Sequence, residues 1–427
     1  MSTQSVHSQG IYHGLPVYPS NLNGLTAIIT GANGISGYYM YRVLSQSPQL
    51  WKKIYCLSRR PPLIPGGLPD HVEHIPLDFL KDPQEIAAEL KKRNVTAVDH
   101  VFFFSYIQVQ PKPGQGLWSD AEEMCRVNSA LLENFLNSLK LASIQPKRVL
   151  LQTGAKNYGG HLGPTKLPQE ESDPRVTLEP NFYYPQEDVL WKYCAETGCG
   201  WNVCMPGPIL GAVPDAAMNA AFPLAVYAAV CKKLNRTLEF PGDIVSWQAL
   251  QSTSSSMMNA FMEEWAVLLG PPNEKYNTCD NSAFTWERFW PLIAGWYGLE
   301  WSGPQPDDAC TATETRFNPR GYGSKGVTRR KFKMTEWAKG KEVQEAWAAI
   351  AEENGLGQKE LVDVDRVFGF LDGTLCRSSA LILSMDKSRK LGWHGFVDSC
   401  ESLLEVFDDL ASLKMIPPVP KVEVKFI

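Results

Sequence analysis

The sequence predicts an α/β fold, a doubly wound parallel sheet joined to a mainly helical C-terminal part. Three observations carry that reading. Short apolar runs alternate with helical patterns through the first half of the chain, as strand–helix–strand units require. The first run, Leu25–Thr30 (LTAIIT), ends in a glycine-bearing turn and passes directly into a helical pattern. Beyond Gly211 the alternation stops, and helical segments rich in tryptophan take over.

Residues 1–21 are polar and punctuated by Pro and Gly, and are expected to form an arm. A helical pattern covers Tyr38–Leu44. Lys53–Leu57 and Val72–Leu77 read as the second and third strands, and Ile86–Lys92 as a helix. His100–Ser105 (HVFFFS) encloses a continuous apolar run, the mark of a parallel strand covered on both faces. Ala121–Leu141 carries Leu131, Leu132, Phe135, Leu136 and Leu139 at near-helical spacing. Arg148–Thr153 and Trp201–Met205 read as the fifth and sixth strands. Helices are then expected at Ala220–Leu234, Ser254–Leu269, Trp286–Tyr297, Val343–Glu353 and Cys400–Leu413, with a late strand at Lys275–Thr278. Asp307–Lys333 holds Gly, Pro and a cluster of Arg and Lys, and reads as a loop or lid.

The 427 residues are 44% hydrophobic and 20% charged, a globular composition at a length of one large domain or two. A formal charge of −5 gives no electrostatic reason to expect nucleic acid or an anionic membrane as partner. Ten cysteines are scattered without CxxC pairs, so no metal site is expected and free thiols in a reducing compartment are. The N-terminus lacks the basic and apolar regions of a secretory signal. No apolar stretch approaches the roughly 20 residues that cross a bilayer. A cytoplasmic protein acting on a small molecule is expected, and a homodimer is left open.

The turn after the first strand reads Gly31-Ala-Asn33-Gly34-Ile35-Ser-Gly37. Glycines there let the backbone approach a pyrophosphate, and the helix start that follows favours negative charge. In this strand–turn–helix setting the motif points to a dinucleotide and a Rossmann-type sheet, against a bland tight turn. The second strand ends at Ser58-Arg59-Arg60, where an NAD site would place a carboxylate for the ribose hydroxyl. Two guanidinium groups there fit a 2′-phosphate and so NADPH, or else form a solvated basic edge. Asp78 and Phe79, after the third strand, are placed to meet the adenine; the alternative for Asp78 is a helix cap. The expected organisation is an arm (1–21), an NADP-binding domain (22–211, with 236–280 returning to it) and a substrate-binding helical cap (212–235 and 281–427).

Lys156 raises the central question. It lies in LQTGAKNYGG, just past the fifth strand, yet no tyrosine of the chain has a lysine four residues after it. Taken alone, such a lysine is a surface residue. What raises it is Asn181-Phe182-Tyr183-Tyr184, which opens a helix one strand–loop–helix step away; Tyr183 is otherwise a packing aromatic.

LQTGAKNY, PNFYYPQED and the glycine turn with Arg59-Arg60 resemble the progesterone 5-beta-reductase/iridoid synthase family, an atypical branch of the extended short-chain dehydrogenases. MPGPILG (Met205–Gly211), VYAAVCK (Val226–Lys232), FTWERFW (Phe284–Trp290) and LSMDKSRKLGWHGF (Leu383–Phe396) extend the likeness to nearly the whole chain from residue 22. That family moves its lysine to a TGxKxY motif and keeps its tyrosine in NFYY. The resemblance therefore implies Lys156 and Tyr183 as the catalytic pair. It also implies cofactor contacts at Asn33, Gly34, Ile35, Arg59, Arg60, Asp78, Phe79, Ser105, Tyr106, Gln152 and Ile209. Ala216, Ala217 and Met218 would border the nicotinamide, and Val367–Ile382 would lie over it. Asn157 stands where a histidine is usual, Met205 where an arginine is, and Arg316–Lys333 looks longer and more basic than the family's segment.

The activity this implies is NADPH-dependent reduction of an activated C=C bond in a hydrophobic enone or enal. Tyr183 would donate to the developing oxyanion; Lys156 would hold the nicotinamide ribose and lower the phenol's pKa. The rivals are carbonyl reduction, a cyclase or isomerase on the same scaffold, and a non-catalytic NADP-binding sensor.

Overall fold

The computed structural model describes residues 5–112, 116–216, 218–318 and 324–424. Its centre is a seven-stranded sheet in which every pairing is parallel. In chain order the strands are β1 (Leu25–Thr30), β2 (Trp51–Ser58), β3 (Val72–Pro76), β4 (His100–Phe103), β5 (Arg148–Gln152), β6 (Gly200–Pro206) and β7 (Glu274–Thr278). In space they run β7-β6-β5-β4-β1-β2-β3, so the order reverses between β1 and β4. Ligands of open α/β sheets bind beyond the carboxyl ends of the strands at such a switch point. Every residue of β4 is buried, which is why its sequence does not alternate.

Helices cover both faces. Helix α1 (Ile35–Ser45) packs against α6 (Ser256–Leu268), while α3 (Ala121–Leu141) lies between α2 (Pro83–Lys92) and α4 (Tyr183–Thr197). The Asp82 carboxylate accepts from Gln84 N at 2.7 Å and caps α2, which therefore starts three residues before its apolar pattern does. Thr30 Oγ1 accepts from Phe104 N at 3.0 Å and Ser105 N at 3.2 Å, ending β4 short of Ser105 and tying it to β1.

The remaining helices α5 (Ala221–Lys233), α7 (Trp286–Tyr297), α8 (Lys341–Asn354), α9 (Val364–Leu375) and α10 (Ser399–Ser412) build a second apolar core beside the sheet's own. Its large members are the tryptophans noted in the sequence, Trp290, Trp296 and Trp347, all fully buried. Trp290 also donates to Leu238 O at 2.9 Å, which satisfies its one polar atom.

Two expectations need correction. The N-terminal residues are not a loose arm: Val6–Gln9 and Tyr12–Pro16 form an antiparallel hairpin. Tyr12 and Leu15 are buried, Tyr12 Oη donates to Glu405, and His13 exchanges two backbone hydrogen bonds with Phe396. The basic segment 307–333 is not all loop either, because Thr311–Glu314 pairs antiparallel with Val327–Arg330. Residues 319–323 of that segment lie outside the described residues.

Candidate active site

The glycine turn forms a cradle that side chains would fill. Gly31 has φ +61°, and a β-carbon on it would stand 2.9 Å from Phe104 O. A β-carbon on Gly37 would stand 2.4 Å from Gly31 O, so α1 can approach the turn only through a glycine. Beside the cradle a pocket is lined by Gly31, Asn33, Ser58, Arg59, Leu77, Asp78, Phe79, Ser105, Tyr106, Ile107 and Leu131. Seven residues expected to contact a cofactor thus meet on one cleft. The Arg59 guanidinium and the Asp78 carboxylate give that lining charged groups of both signs.

The other expected contacts are placed differently. Arg60 is outside that lining; it is exposed, and its guanidinium lies 3.9 Å from Asp215, which also binds Arg366 of α9 at 2.9 Å. Gln152 donates to Ser36 Oγ at 2.8 Å and so braces β5 against the start of α1. Asp78 accepts from Leu80 N at 3.0 Å, shaping the turn it sits in. Ile35 and Ile209 are half-buried, as are Ala216 and Met218 in the stretch between β6 and α5. Ala217 lies outside the described residues.

The turn that carries Lys156 and the helix start that carries Tyr183 are tied together by polar contacts that their motifs encode. Lys156 sits in a single 3-10 turn, Ala155–Tyr158, beyond β5. Asn181 donates to Lys156 O at 3.2 Å and accepts from Tyr183 N at 3.2 Å, so one side chain joins the lysine turn to the start of α4. Tyr184 Oη donates to Asn157 O at 2.6 Å, and Tyr158 Oη donates to Asn277 Oδ1 at 2.5 Å across the end of the sheet. The other tyrosines of the two motifs are therefore structural.

Burial raises the Tyr183 phenol's pKa above its ordinary value. Desolvation disfavours the phenolate, so the hydroxyl stays protonated at neutral pH. Lys156 is pulled down to about 8 by burial, an effect that Glu179 partly offsets. Its ammonium lies 4.7 Å from the ring centre of Trp118 and 5.8 Å from that of Phe182.

Sequence reasoning missed this wall. Trp118, at φ +65°, donates to Tyr106 Oη at 2.9 Å, and Tyr106 packs on Phe182 with ring centres 5.6 Å apart. His161 lies edge-on to Trp118 and 3.4 Å from Glu179, whose carboxylate that contact holds below its usual pKa. Arg316 reaches the same carboxylate at 3.5 Å. The available signal was position: His161 follows the lysine motif closely, and Glu179 precedes the tyrosine motif by two residues.

A family model for a PRISE-like Rossmann-fold domain matches residues 27–319. The chain belongs to that family. An (S)-8-oxocitronellyl enol synthase of Camptotheca acuminata is 30% identical over 403 residues, 92% of this chain and 93% of that one. A 3-oxo-Δ(4,5)-steroid 5-beta-reductase of Arabidopsis thaliana is 29% identical over 93% of this chain and 95% of its own. Among solved structures, the Bordetella bronchiseptica enzyme WbmG in complex with NAD aligns at a TM-score of 0.54 and 12% identity, covering 94% of this chain and 98% of that one. That last likeness concerns the PRISE-like chain's fold alone.

Proposed function

We propose that the protein is an oxidoreductase that uses NADPH to reduce an activated carbon–carbon double bond in a hydrophobic enone or enal. The observation that carries the reading is the joining of Lys156 and Tyr183 through Asn181 at the carboxyl edge of the sheet, with the glycine cradle and Arg59 on the adjoining strands. The names of two relatives agree with it, one of which specifies a 3-oxo-Δ(4,5)-steroid, an enone.

A reduced nicotinamide, when bound, supplies the hydride. The chain's own work is electrostatic. As the β-carbon of the acceptor gains electron density, negative charge develops on the carbonyl oxygen. A buried, protonated phenol at Tyr183 is a preorganised donor to that oxygen, worth roughly 3–4 kcal/mol. The Lys156 ammonium, with a weakened hold on its proton, suits the nicotinamide ribose hydroxyls. The α-carbon takes its proton from water, so no second protein acid is needed.

The test is loss of NADPH absorbance with purified protein across hydrophobic enones, enals and matched saturated ketones. Turnover of the enones and enals alone is expected. Turnover of the saturated ketones alone would move the protein to carbonyl reduction.

A further inference from the structure

Cys194 and Cys199 meet where α4 gives way to β6. The helix ends in a left-handed turn: Gly198 has φ +73°, and its N–H donates to Cys194 O at 2.9 Å. A chain that leaves a helix this way brings the residue after the glycine back over the last turn. That residue is Cys199, and the side chain it meets is Cys194. Both thiols point at one oxygen, with Cys199 Sγ 3.2 Å and Cys194 Sγ 3.9 Å from Gly200 O. The two sulfurs also lie within hydrogen-bonding reach of each other. Both side chains are buried, yet Ala195, Glu196 and Gly198 beside them are exposed, so the pair lies just beneath the surface at the helix end.

The two thiols are not alike. Three groups around Cys199 favour its thiolate: the Cys194 thiol, the Val149 backbone N–H on β5 and the Arg148 guanidinium. Arg148 is fixed in place, its Nη1 donating to Asn202 Oδ1 at 2.9 Å and to Ala266 O and Gly270 O at 3.0 Å. A β-carbon on Gly200 would stand 3.3 Å from Arg148 Nε, so the charge lies beside the residue that follows Cys199. These contacts draw the Cys199 thiol below its ordinary pKa against the effect of burial. The other nine cysteines are all shifted upward, by burial first in every case but Cys194. An apolar contact often closes a helix end of this kind, and aliphatic side chains serve for it. A thiolate with a thiol against it adds what packing does not need, the arrangement from which a disulfide forms.

We propose that Cys194 and Cys199 are a redox-active dithiol, a modification site oxidised to an internal disulfide by a small peroxide and restored by a dithiol reductant. The Cys199 thiolate attacks one peroxide oxygen, the O–O bond breaks, and Cys199 becomes a sulfenic acid as the other oxygen leaves as water. The Cys194 thiol then attacks that sulfur; the S–S bond forms, the S–O bond breaks, and the hydroxyl leaves as water with the Cys194 proton. Two thiols have given two electrons and two protons to one peroxide. The pair sits at the far end of the helix whose first residue is Tyr183, and it stands whether or not the reductase reading does.

The experiment treats the folded full chain with hydrogen peroxide, blocks the remaining thiols by alkylation and maps the peptides by mass spectrometry. The peptide that carries both residues is expected to be two hydrogens lighter, with neither of these sulfurs alkylated, and to regain both thiols in dithiothreitol. Cys199 should react about tenfold or more faster than the half-buried Cys125 and Cys310. Cys194→Ala removes the resolving thiol, so Cys199 should then accumulate as a sulfenic acid that a 1,3-diketone probe captures. Cys199→Ala should leave Cys194 unreacted at the same dose. The parent protein decides the matter without either variant. Oxidation confined to Cys125 and Cys310 overturns the proposal, as does a disulfide that forms only after unfolding. Oxidation of Cys199 to a sulfinic acid with no bond to Cys194 overturns it too.

Discussion

The hydroxyl of Tyr183 rests against the backbone of Gly154. A β-carbon there would lie 2.9 Å from Tyr183 Oη and 3.6 Å from its Cζ. The glycine of the lysine motif is thus the floor under the phenol two residues before Lys156. Gly154→Ala should push the ring off its position without touching the glycine cradle after β1. Misplacing a catalytic donor by about 1 Å costs on the order of 10²-fold. Steady-state kinetics should show turnover falling by one to two orders of magnitude with NADPH affinity unchanged.

The lowered pKa of Lys156 sets an alkaline limit. The ammonium is needed charged, so kcat/KM should be full below about pH 8 and fall as pH rises through it. Glu179 raises that pKa. Glu179→Gln should therefore move the alkaline limb to lower pH, and pH–rate profiles of the two proteins should show the offset. An unmoved limb would detach Glu179 from the lysine.

The two arginines at the end of β2 should not be equivalent. Both are exposed, but Arg59 lines the pocket beside the glycine cradle, whereas Arg60 lies outside that lining and faces Asp215. Arg59→Ala should erase most of the preference for NADPH over NADH, roughly tenfold to a hundredfold, while Arg60→Ala changes it little. Titration of both cofactors against the two variants decides it.

Asn181 holds both halves of the pair. Asn181→Ala removes the bond to Lys156 O and the one from Tyr183 N at a buried position. The expected loss is about 1–3 kcal/mol of stability, read by denaturant unfolding. Turnover should fall further than that loss alone explains.

The sheet and its helices were legible because their signals are local. Apolar runs such as Val101–Phe104 and the spacing of Leu132, Phe135, Leu136 and Leu139 need no distant partner to be read. Lys156 and Tyr183 were legible only as a pair of motifs, since neither residue stands out alone. What was missed depends on contacts far apart in the chain. The hairpin over Val6–Pro16 shows no regular apolar pattern in the sequence and is held by Glu405 and Phe396, almost four hundred residues away. Likewise α9 is anchored by Asp372 accepting from the backbone of Met334 and Thr335. Trp118, His161 and Glu179 come from loops without periodicity, and only folding brings them around Lys156.

The central claim is that Tyr183 donates to an oxyanion formed as a double bond accepts hydride. Its most direct measurement is the turnover of Tyr183→Phe on an enone that the parent protein reduces, together with NADPH affinity. The ring and its contact with Phe182 remain, and only the donor is lost. Turnover lower by roughly 10²–10³-fold at unchanged NADPH affinity is the predicted result. Normal turnover by the phenylalanine protein would contradict the account and move the chemistry away from Tyr183.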